Sequence, residues 1–262
     1  MKKKKRVLIT GASSGIGYEM AKVFAENGYD LILVARREER LELIAKELIE
    51  KYGVELTFIT KDLSQIDAGE EIFKELKKQN LIPDVLVNNA GFGAFCSFSE
   101  MDQITLIEML RVNIMALTQL TRFLLPEMLK KGKGGILNVA SVVGFLPGGP
   151  FMAVYSATKA YVLSLSLALS QELKGSGVRV TALCPGTTKT EFFKRAGIQP
   201  SFLEKRAMNA RDVARCGYQA LMKGKRIAVP GLKNRLIALL LPLFPKRVVL
   251  DVVGKRLNKE IK

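Results

Sequence analysis

Short apolar runs alternate with longer segments of helical periodicity along most of this chain of 262 residues. The runs are rich in Val, Ile and Leu, a composition typical of strands that are buried on both faces of a parallel sheet. They predict strands at 7–10, 31–35, 56–60, 84–87, 135–139 and 178–183. The segments between them predict helices at 18–27, from after 37 to about 50, at 65–78, at about 103–128, and through 155 to about 173. This alternation predicts an α/β fold, a doubly wound parallel sheet with helices on both faces, as a single domain over 1–262.

Composition is that of a globular chain, with 48% hydrophobic and 25% charged residues. Three cysteines stand far apart and histidine is absent, which argues against a disulfide framework and against a zinc site. We therefore predict no metal, and a cytoplasmic location, because a reducing compartment suits unpaired thiols. The apolar run at 7–9 is too short for the core of a secretion signal.

The formal net charge of +16 is concentrated at the two ends of the chain. Residues 2–6 are all cationic, and residues 223–262 hold eleven Lys and Arg against Asp251 and Glu260. The body between these ends is close to neutral, so a nucleic-acid partner is not predicted.

A glycine-rich turn joins the first predicted strand to the first predicted helix. Its glycines permit a tight turn and let the backbone approach a pyrophosphate, whose charge is favoured at a helix N-terminus. Strand, turn and helix predict a Rossmann-like dinucleotide site formed by Gly11, Ser13, Ser14, Gly15, Ile16 and Gly17. A turn that only links a strand to a helix is the alternative.

Two arginines, Arg36 and Arg37, follow the second predicted strand. NAD-preferring sites usually carry an acidic residue about 20 positions beyond the glycines, where it binds the ribose 2′-hydroxyl. Guanidinium groups in that place suit a 2′-phosphate instead, which predicts NADP(H) as the cofactor. Surface cations at a helix start are the alternative, although cations at that end oppose the helix dipole.

Tyr155 and Lys159 are four residues apart, which places them about one turn apart on one helix face. An ammonium beside a phenol favours the phenolate, so we expect a tyrosine pKa below its usual ~10 and a role in acid/base chemistry. Ser141 stands fourteen residues upstream of Tyr155, and the absence of histidine leaves tyrosine as the obvious acid/base group. A solvated helix face is the alternative for the pair, and a backbone cap at a strand end is the alternative for Ser141.

Taken together, these motifs resemble those of the short-chain dehydrogenase/reductase family. The matching residues, between 7 and about 190, are Thr10-Gly11-x-x-x-Gly15-x-Gly17, Asn88-Asn89-Ala90-Gly91, Asn113, Ser141, Tyr155-x-x-x-Lys159 and Pro185-Gly186. Ala35-Arg36 resembles the NADP-preferring members, and the order of motifs resembles a bacterial subgroup of ketone and acyl reductases. The resemblance implies hydride transfer between NADP(H) and a ketone or secondary alcohol. A non-catalytic NADP(H)-binding regulatory protein of the same fold is the alternative.

The same resemblance implies a role for each matching residue. Tyr155 would be the general acid/base, Lys159 would bind the nicotinamide ribose, and Ser141 would hold the carbonyl oxygen. Asn113 would support a proton relay, with a satisfied mid-helix amide as the alternative. The other implied cofactor contacts are Asp62, Leu63, Asn89, Ala90, Gly91, Pro185, Gly186, Thr188 and Thr190.

Aromatic and apolar residues follow the motifs at positions expected to wall a substrate site. Such a lining favours a hydrophobic ketone over a sugar or a charged metabolite. Some of these residues are expected to be core contacts instead, or subunit contacts of a homo-dimer or homo-tetramer. They are Phe92, Phe95, Phe98, Phe145, Leu146 and Phe151, with Phe192, Phe193 and Phe202 in a variable substrate loop at about 187–212.

The C-terminal segment, about 233–262, combines apolar and basic residues. Its nine apolar residues at 236–244 are too few to span a bilayer, which takes ~20. The cations that bracket them are Lys233, Arg235, Lys246 and Arg247. The segment predicts a peripheral contact with an anionic membrane, a cover over the active site, or a contact with another subunit. Pro242 and Pro245 would interrupt a continuous helix, which favours burial over the membrane contact.

Overall fold

One parallel sheet organises the protein. The computed structural model describes residues 4–192 and 207–261, with side chains as far as residue 255. The strands are β1 (Arg6–Thr10), β2 (Asp30–Ala35), β3 (Leu56–Thr60), β4 (Val85–Asn88), β5 (Gly134–Val139), β6 (Val178–Leu183) and β7 (Ile227–Ala228). Their order is β3-β2-β1-β4-β5-β6-β7, and every neighbouring pair is parallel. The strand order therefore reverses between β1 and β4, since β2 and β3 lie on one side of β1 and the later strands lie on the other. This reversal creates the switch point at which open α/β sheets bind ligands.

Helices cover both faces of this sheet, so the predicted doubly wound α/β fold is confirmed. Among the described residues they are α1 (Gly15–Glu26), α2 (Glu38–Tyr52), α3 (Ala68–Lys78), α4 (Gln103–Leu110), α5 (Leu117–Lys130), α6 (Ala153–Glu172), α7 (Ala210–Met222), α8 (Leu232–Leu240) and α9 (Lys246–Ile261). Successive strand residues point to opposite sides. Val7 and Ile9 accordingly pack with α1, α2 and α7, whereas Leu8 packs with α3 and α5.

The helix predicted at 103–128 is interrupted. Helix α4 ends at Leu110, a π-helical turn covers Arg111–Ala116, and α5 follows. Turns of this kind are rare in proteins, and those that do occur often lie at functional sites. This one contains Asn113, whose side chain is buried, so the irregularity coincides with a residue predicted to belong to the site.

The elements after β6 are not predicted by the hydrophobic pattern. Helix α7 packs against α1 and begins after Asn209, whose side-chain oxygen accepts a hydrogen bond from the backbone N of Arg211 at 2.8 Å. Strand β7 has only two residues and extends the edge of the sheet beside β6. Both elements lie beyond the last predicted strand, so the sheet is one strand wider than the sequence predicts.

The C-terminal segment forms two helices, α8 and α9, joined by a 3₁₀ turn at Leu241–Leu243. The carbonyl oxygen of Pro245 accepts hydrogen bonds from the backbone N of Val248 and of Val249, which starts α9. Most apolar side chains of 236–244 are exposed, so the favoured burial of this segment is not provided by the chain's own core. Across the described ranges, no helix has the length and apolar content needed to cross a membrane.

Candidate active site

A cavity of about 460 Å³ opens at the carboxyl ends of the central strands. It is formed where the segments that follow β1, β2, β4, β5 and β6 converge. The predicted site residues that line it are Gly11, Ser13, Ser14, Gly15, Ile16, Arg36, Arg37, Asp62, Leu63, Asn89, Ala90, Gly91, Ser141, Tyr155, Lys159, Pro185, Gly186, Thr188 and Thr190. Two other predicted residues, Gly17 and Asn113, do not line it and contact the lining from behind.

The glycine turn has the shape that an anion site requires. Gly11 and Gly15 adopt φ of +64° and +55°, a region that favours glycine. A Cβ atom on Gly17 would lie 2.3 Å from the carbonyl oxygen of Gly11, so glycine lets α1 pack directly on the turn. The first N–H groups of a helix have no acceptor within it. The N-terminus of α1 therefore offers free donors and a positive dipole end to the cavity.

Asn89 ties this turn to the end of β4. Its Nδ2 donates to the carbonyl oxygens of Thr10 and Gly11 at 2.9 and 3.2 Å. In return, the hydroxyl of Thr10 accepts from the backbone N of Asn89 and of Ala90, both at 3.0 Å. The amide of Asn89 thus acts on the shape of the turn, in addition to lining the cavity.

The outer end of the cavity is rich in cations. Nη2 of Arg37 donates to the hydroxyl of Ser13 at 3.1 Å and lies 3.0 Å from the carboxylate of Glu191. Nη1 of Arg36 lies 3.8 Å from Oδ2 of Asp62. Lys61, which the motifs do not single out, also lines this end. Both arginine side chains are about half exposed, at 50% and 47%, so a ligand in the cavity can reach them.

Ser141 and Tyr155 both line the inner end of the cavity, where their hydroxyl groups are neighbours that interact. Ser141 follows β5, and Tyr155 lies in the first turn of α6. Burial raises the pKa of Tyr155 to about 12, and the neighbouring hydroxyl of Ser141 opposes part of that rise. The predicted lowering of this pKa by Lys159 is therefore wrong for this structure, because desolvation of the phenolate dominates.

Lys159 is buried one helical turn from Tyr155, which is the proximity that the spacing predicts. Its Nζ donates to the carbonyl oxygen of Val139 at 2.8 Å and lies 5.9 Å from the centre of the Tyr155 ring. Burial lowers the pKa of Lys159 to about 8. A Cβ atom on Gly91 would come within 3.3 Å of Nζ, so the missing side chain there leaves room next to the ammonium.

Asn113 holds the site together from behind the cavity. Its Nδ2 donates to the carbonyl oxygen of Phe92 at 2.9 Å and to the hydroxyl of Thr158 at 3.0 Å. Its Oδ1 accepts from the backbone N of Phe92 at 3.0 Å. The hydroxyl of Thr158 in turn donates to the carbonyl oxygen of Tyr155 at 2.8 Å. Sequence reasoning missed Thr158, although its place inside the Tyr-x-x-x-Lys spacing was a usable signal.

The aromatic wall is smaller than predicted. Phe92 and Phe192 line the cavity, and the Phe192 ring lies 5.3 Å from that of Tyr155. The predicted wall residues that do not line it are Phe95, Phe98, Phe145, Leu146 and Phe151. Phe193 and Phe202 lie outside the described residues. Apolar lining that the motifs did not predict comes from Val112, Val143 and Met152.

One edge of the sheet thus combines a place for a nucleotide with a buried proton donor, which is the arrangement of dinucleotide-binding oxidoreductases. Residues 5–200 match the family described as "short chain dehydrogenase". The chain therefore belongs to the short-chain dehydrogenase/reductase family, as its motifs predict.

Two relatives are named as reductases of different compounds. The chain is 36% identical to a very-long-chain 3-oxoacyl-CoA reductase of Anas platyrhynchos over 202 residues, which are 74% of this chain and 62% of that relative. It is 39% identical to sulfoacetaldehyde reductase 2 of Chromohalobacter salexigens over 188 residues, which are 71% of this chain and 73% of that relative. The match thus covers less than two thirds of the first relative's length.

Solved structures share the fold over most of the chain. A short-chain dehydrogenase from Sphingobium yanoikuyae in complex with NADPH has a TM-score of 0.81 and 32% identity, covering 98% of this chain and 96% of that one. A short-chain dehydrogenase/reductase from Burkholderia phymatum in complex with NAD has a TM-score of 0.79 and 26% identity, covering 92% of each chain. A nicotinamide cofactor is therefore supported for this fold.

Proposed function

We propose that this protein catalyses hydride transfer between NADP(H) and a hydrophobic ketone or secondary alcohol, with Tyr155 as the general acid/base. The observation that carries the proposal is the pair of buried hydroxyl groups on Ser141 and Tyr155, which line the same cavity as the glycine turn. Hydride transfer needs a bound nicotinamide, an oriented carbonyl group and a proton donor. One cavity contains side chains suited to each of these tasks.

The electrostatics of the inner end suit the direction of reduction. A pKa of about 12 keeps Tyr155 protonated at neutral pH, which is the form that donates a proton to a developing alkoxide. The neighbouring hydroxyl of Ser141 would donate a second hydrogen bond to the same oxygen. Lys159 carries its proton below about pH 8, so it supplies a buried positive charge beside them.

The described residues also fit NADP(H). The glycine turn and the N-terminus of α1 would hold the pyrophosphate, and Arg36, Arg37 and Lys61 would face the 2′-phosphate. When bound, the cofactor would supply the hydride, while the protein orients it. Because solved relatives carry NADPH in one case and NAD in another, the preference for NADP(H) rests on these cations. Asn113 would act through Phe92 and Thr158 as a positioning residue.

The substrate class rests on the cavity wall. Phe92, Phe192 and Met152 give the space beside Tyr155 an apolar lining, which favours a hydrophobic carbonyl compound. The two named relatives take their names from unlike compounds, so they do not select one. A cytoplasmic location and a homo-dimer or homo-tetramer remain predictions.

The test is NADPH consumption with a panel of acyl, steroid and aryl ketones. Tyr155→Phe should lower kcat by about 10²–10⁴-fold, because only the proton donor is lost. The dissociation constant for NADPH, measured by fluorescence, should stay near that of the wild type.

Tyr161→Phe is the matched control, because Tyr161 lies on the same helix but is 37% exposed. This variant should retain wild-type turnover. A loss below about tenfold in Tyr155→Phe would show that another group is the acid. NADPH binding without turnover of any ketone would favour a non-catalytic NADP(H)-binding protein.

A further inference from the structure

An exposed apolar face runs along α8 and the turn after it. This C-terminal apolar face consists of Leu232, Leu236, Leu239, Leu240, Leu243 and Phe244. Leu236, Leu239 and Leu240 lie four, seven and eight positions after Leu232, a spacing that puts these four leucines on one side of α8. Leu243 and Phe244 follow in the turn after it, and between 45% and 77% of each of the six residues is exposed. Single exposed apolar residues are ordinary, whereas six of them along one helix and its following turn mark a contact site.

Cations flank this face. At about 100° per residue along a helix, Lys233 falls on one side of the face and Arg235 on the other. Asn234, between them, points towards the body of the protein, where its Nδ2 donates to the carbonyl oxygen of Pro230 at 2.9 Å. Within 232–255 the exposed cations are Lys233, Arg235, Lys246, Arg247 and Lys255, against Asp251 as the one acidic residue. The face is therefore apolar at its centre and positively charged at its margins.

We propose that the C-terminal apolar face binds an anionic lipid surface as a peripheral contact. An apolar stripe with Lys and Arg at its margins is the pattern of helices that lie in the plane of a membrane interface. The leucines would enter the boundary of the acyl chains while the cations meet acidic headgroups. The face is too short to span the bilayer, so the contact lies on the surface.

Two features favour lipid over the other occupants. Pro242 and Pro245 lie at the turn between α8 and α9, and the exposed apolar residues continue across it, so the prolines do not divide the face. A second copy of this chain fits less well. Lys233 and Arg235 would approach the same residues of the copy in a two-fold contact, and like charges oppose association.

Helix α8 stands beside the cavity, with the C-terminal apolar face on its other side. A Cβ atom on Gly186, which lines the cavity, would lie 2.6 Å from the amide of Asn234, so α8 packs directly on that wall. The neighbouring residue, Pro185, has its carbonyl oxygen 3.4 Å from the hydroxyl of Ser141. Helix α8 thus lies between the C-terminal apolar face and this wall, so lipid binding would hold the cavity close to the membrane surface. The use of that placement for an apolar substrate rests on the proposed reductase function, whereas lipid binding does not.

Co-sedimentation of the full-length protein with vesicles tests the inference, without NADPH or ketone. We expect binding to phosphatidylcholine vesicles that contain phosphatidylglycerol, weak binding to pure phosphatidylcholine, and release by salt, which screens charges beyond ~10 Å at 0.1 M. Lys246→Gln/Arg247→Gln should weaken binding about 25-fold, because each cation near such a surface contributes about fivefold. Lys46→Gln/Lys78→Gln removes the same charge from exposed positions elsewhere and should leave binding unchanged.

The apolar part has its own pair of variants. Leu239→Ser/Leu243→Ser should abolish vesicle binding, whereas Leu43→Ser/Ile66→Ser, which changes side chains that are 62% and 53% exposed elsewhere, should not. All variants should retain wild-type turnover of a water-soluble ketone, so a failure of the reductase proposal would be seen separately. Equal vesicle binding by both double serine variants would overturn the inference. So would a wild type that ignores anionic vesicles while Leu239→Ser/Leu243→Ser lowers the oligomer mass in ultracentrifugation, since a second copy would then cover the face.

Discussion

Lys159 is an ammonium group enclosed by protein, and its burial has a cost that depends on pH. Its pKa is lowered to about 8 in the folded state, whereas an unperturbed lysine titrates near ~10.4. Between these values the unfolded chain binds more protons, so this residue makes the free energy of unfolding rise with pH. The destabilisation is complete below about pH 8 and disappears towards ~10.4.

Lys159→Met should therefore be more stable than the wild type at pH 7, and the difference should shrink towards pH 10. Urea unfolding without cofactor, repeated across this range, measures the difference in the free energy of unfolding. Lys78→Met is the control, because Lys78 is exposed and its replacement should give a difference that does not change with pH. A constant difference for Lys159→Met would mean that the lysine titrates normally.

The choice of cofactor is also decided by single residues. Arg36→Asp should lower the ratio of kcat/KM for NADPH to that for NADH by about 10–100-fold, because a hydrogen bond to a charged group contributes about 1.5–3 kcal/mol. Arg40→Asp makes the same change of charge at an exposed position of α2 and should leave the ratio unchanged. Steady-state kinetics with NADPH and with NADH measure this ratio. A wild type that uses them equally well would contradict the NADP(H) preference.

Residue types and their spacing predicted much of this site, because parallel strands bring their carboxyl ends to one edge. Tyr155, Ser141 and Lys159 converge as expected. The direction of the Tyr155 pKa shift was not predictable in this way, because the burial depends on packing by residues distant in sequence. Phe192 is one of them, and its contact with the Tyr155 ring follows from the path of the chain after β6.

Among the elements, the start of α1 is sensitive to a small change. Gly17→Ala would place a methyl group 2.3 Å from the carbonyl oxygen of Gly11, which is backbone and cannot rotate away. We expect α1 to shift from the turn, with loss of stability of about 1–3 kcal/mol, as for overpacked cores, and with much weaker NADPH binding.

Gly254→Ala is the matched control for Gly17→Ala. Gly254 is also helical, but a methyl group there would find its nearest neighbour at 3.8 Å. Alanine should leave stability equal or slightly higher, since it favours helices over glycine by about 1 kcal/mol. Thermal unfolding measures the stability of both variants, and NADPH titration measures their affinity for the cofactor. Normal NADPH binding by Gly17→Ala would show that α1 tolerates the displacement.

Some elements were predictable from the hydrophobic pattern and others were not. Periodicity continues through 103–128, so it does not reveal the π-helical turn, where Asn113 bonds to Phe92 and Thr158. The two residues of β7 are too few to show alternation. Helix α7 is strongly amphipathic, with Val213 and Leu221 on its buried side, so its pattern was a usable signal that sequence reasoning missed.

For the whole molecule, the alternation of strands and helices was enough to predict the architecture, because parallel strands require crossover connections. The exposure of the C-terminal apolar face was not predictable, since apolar sequence alone does not say whether the core, another subunit or lipid covers it. Charge told more. Lys233 and Arg235 flank that face on α8, so part of the charge concentrated near the end of the sequence becomes a local surface property.

Arg37 connects three distant parts of the chain, since it bonds Ser13 in the first turn and Glu191 after β6. A phosphate that engaged this guanidinium would have to compete with the Glu191 carboxylate, so its affinity would reflect an exchange of partners rather than a new bond alone. Glu191 directly precedes Phe192, whose ring packs on Tyr155. A ligand that drew Arg37 away from Glu191 would therefore release a restraint next to the Tyr155 ring. Occupancy at one end of the cavity would in this way affect the other end, through two adjacent residues.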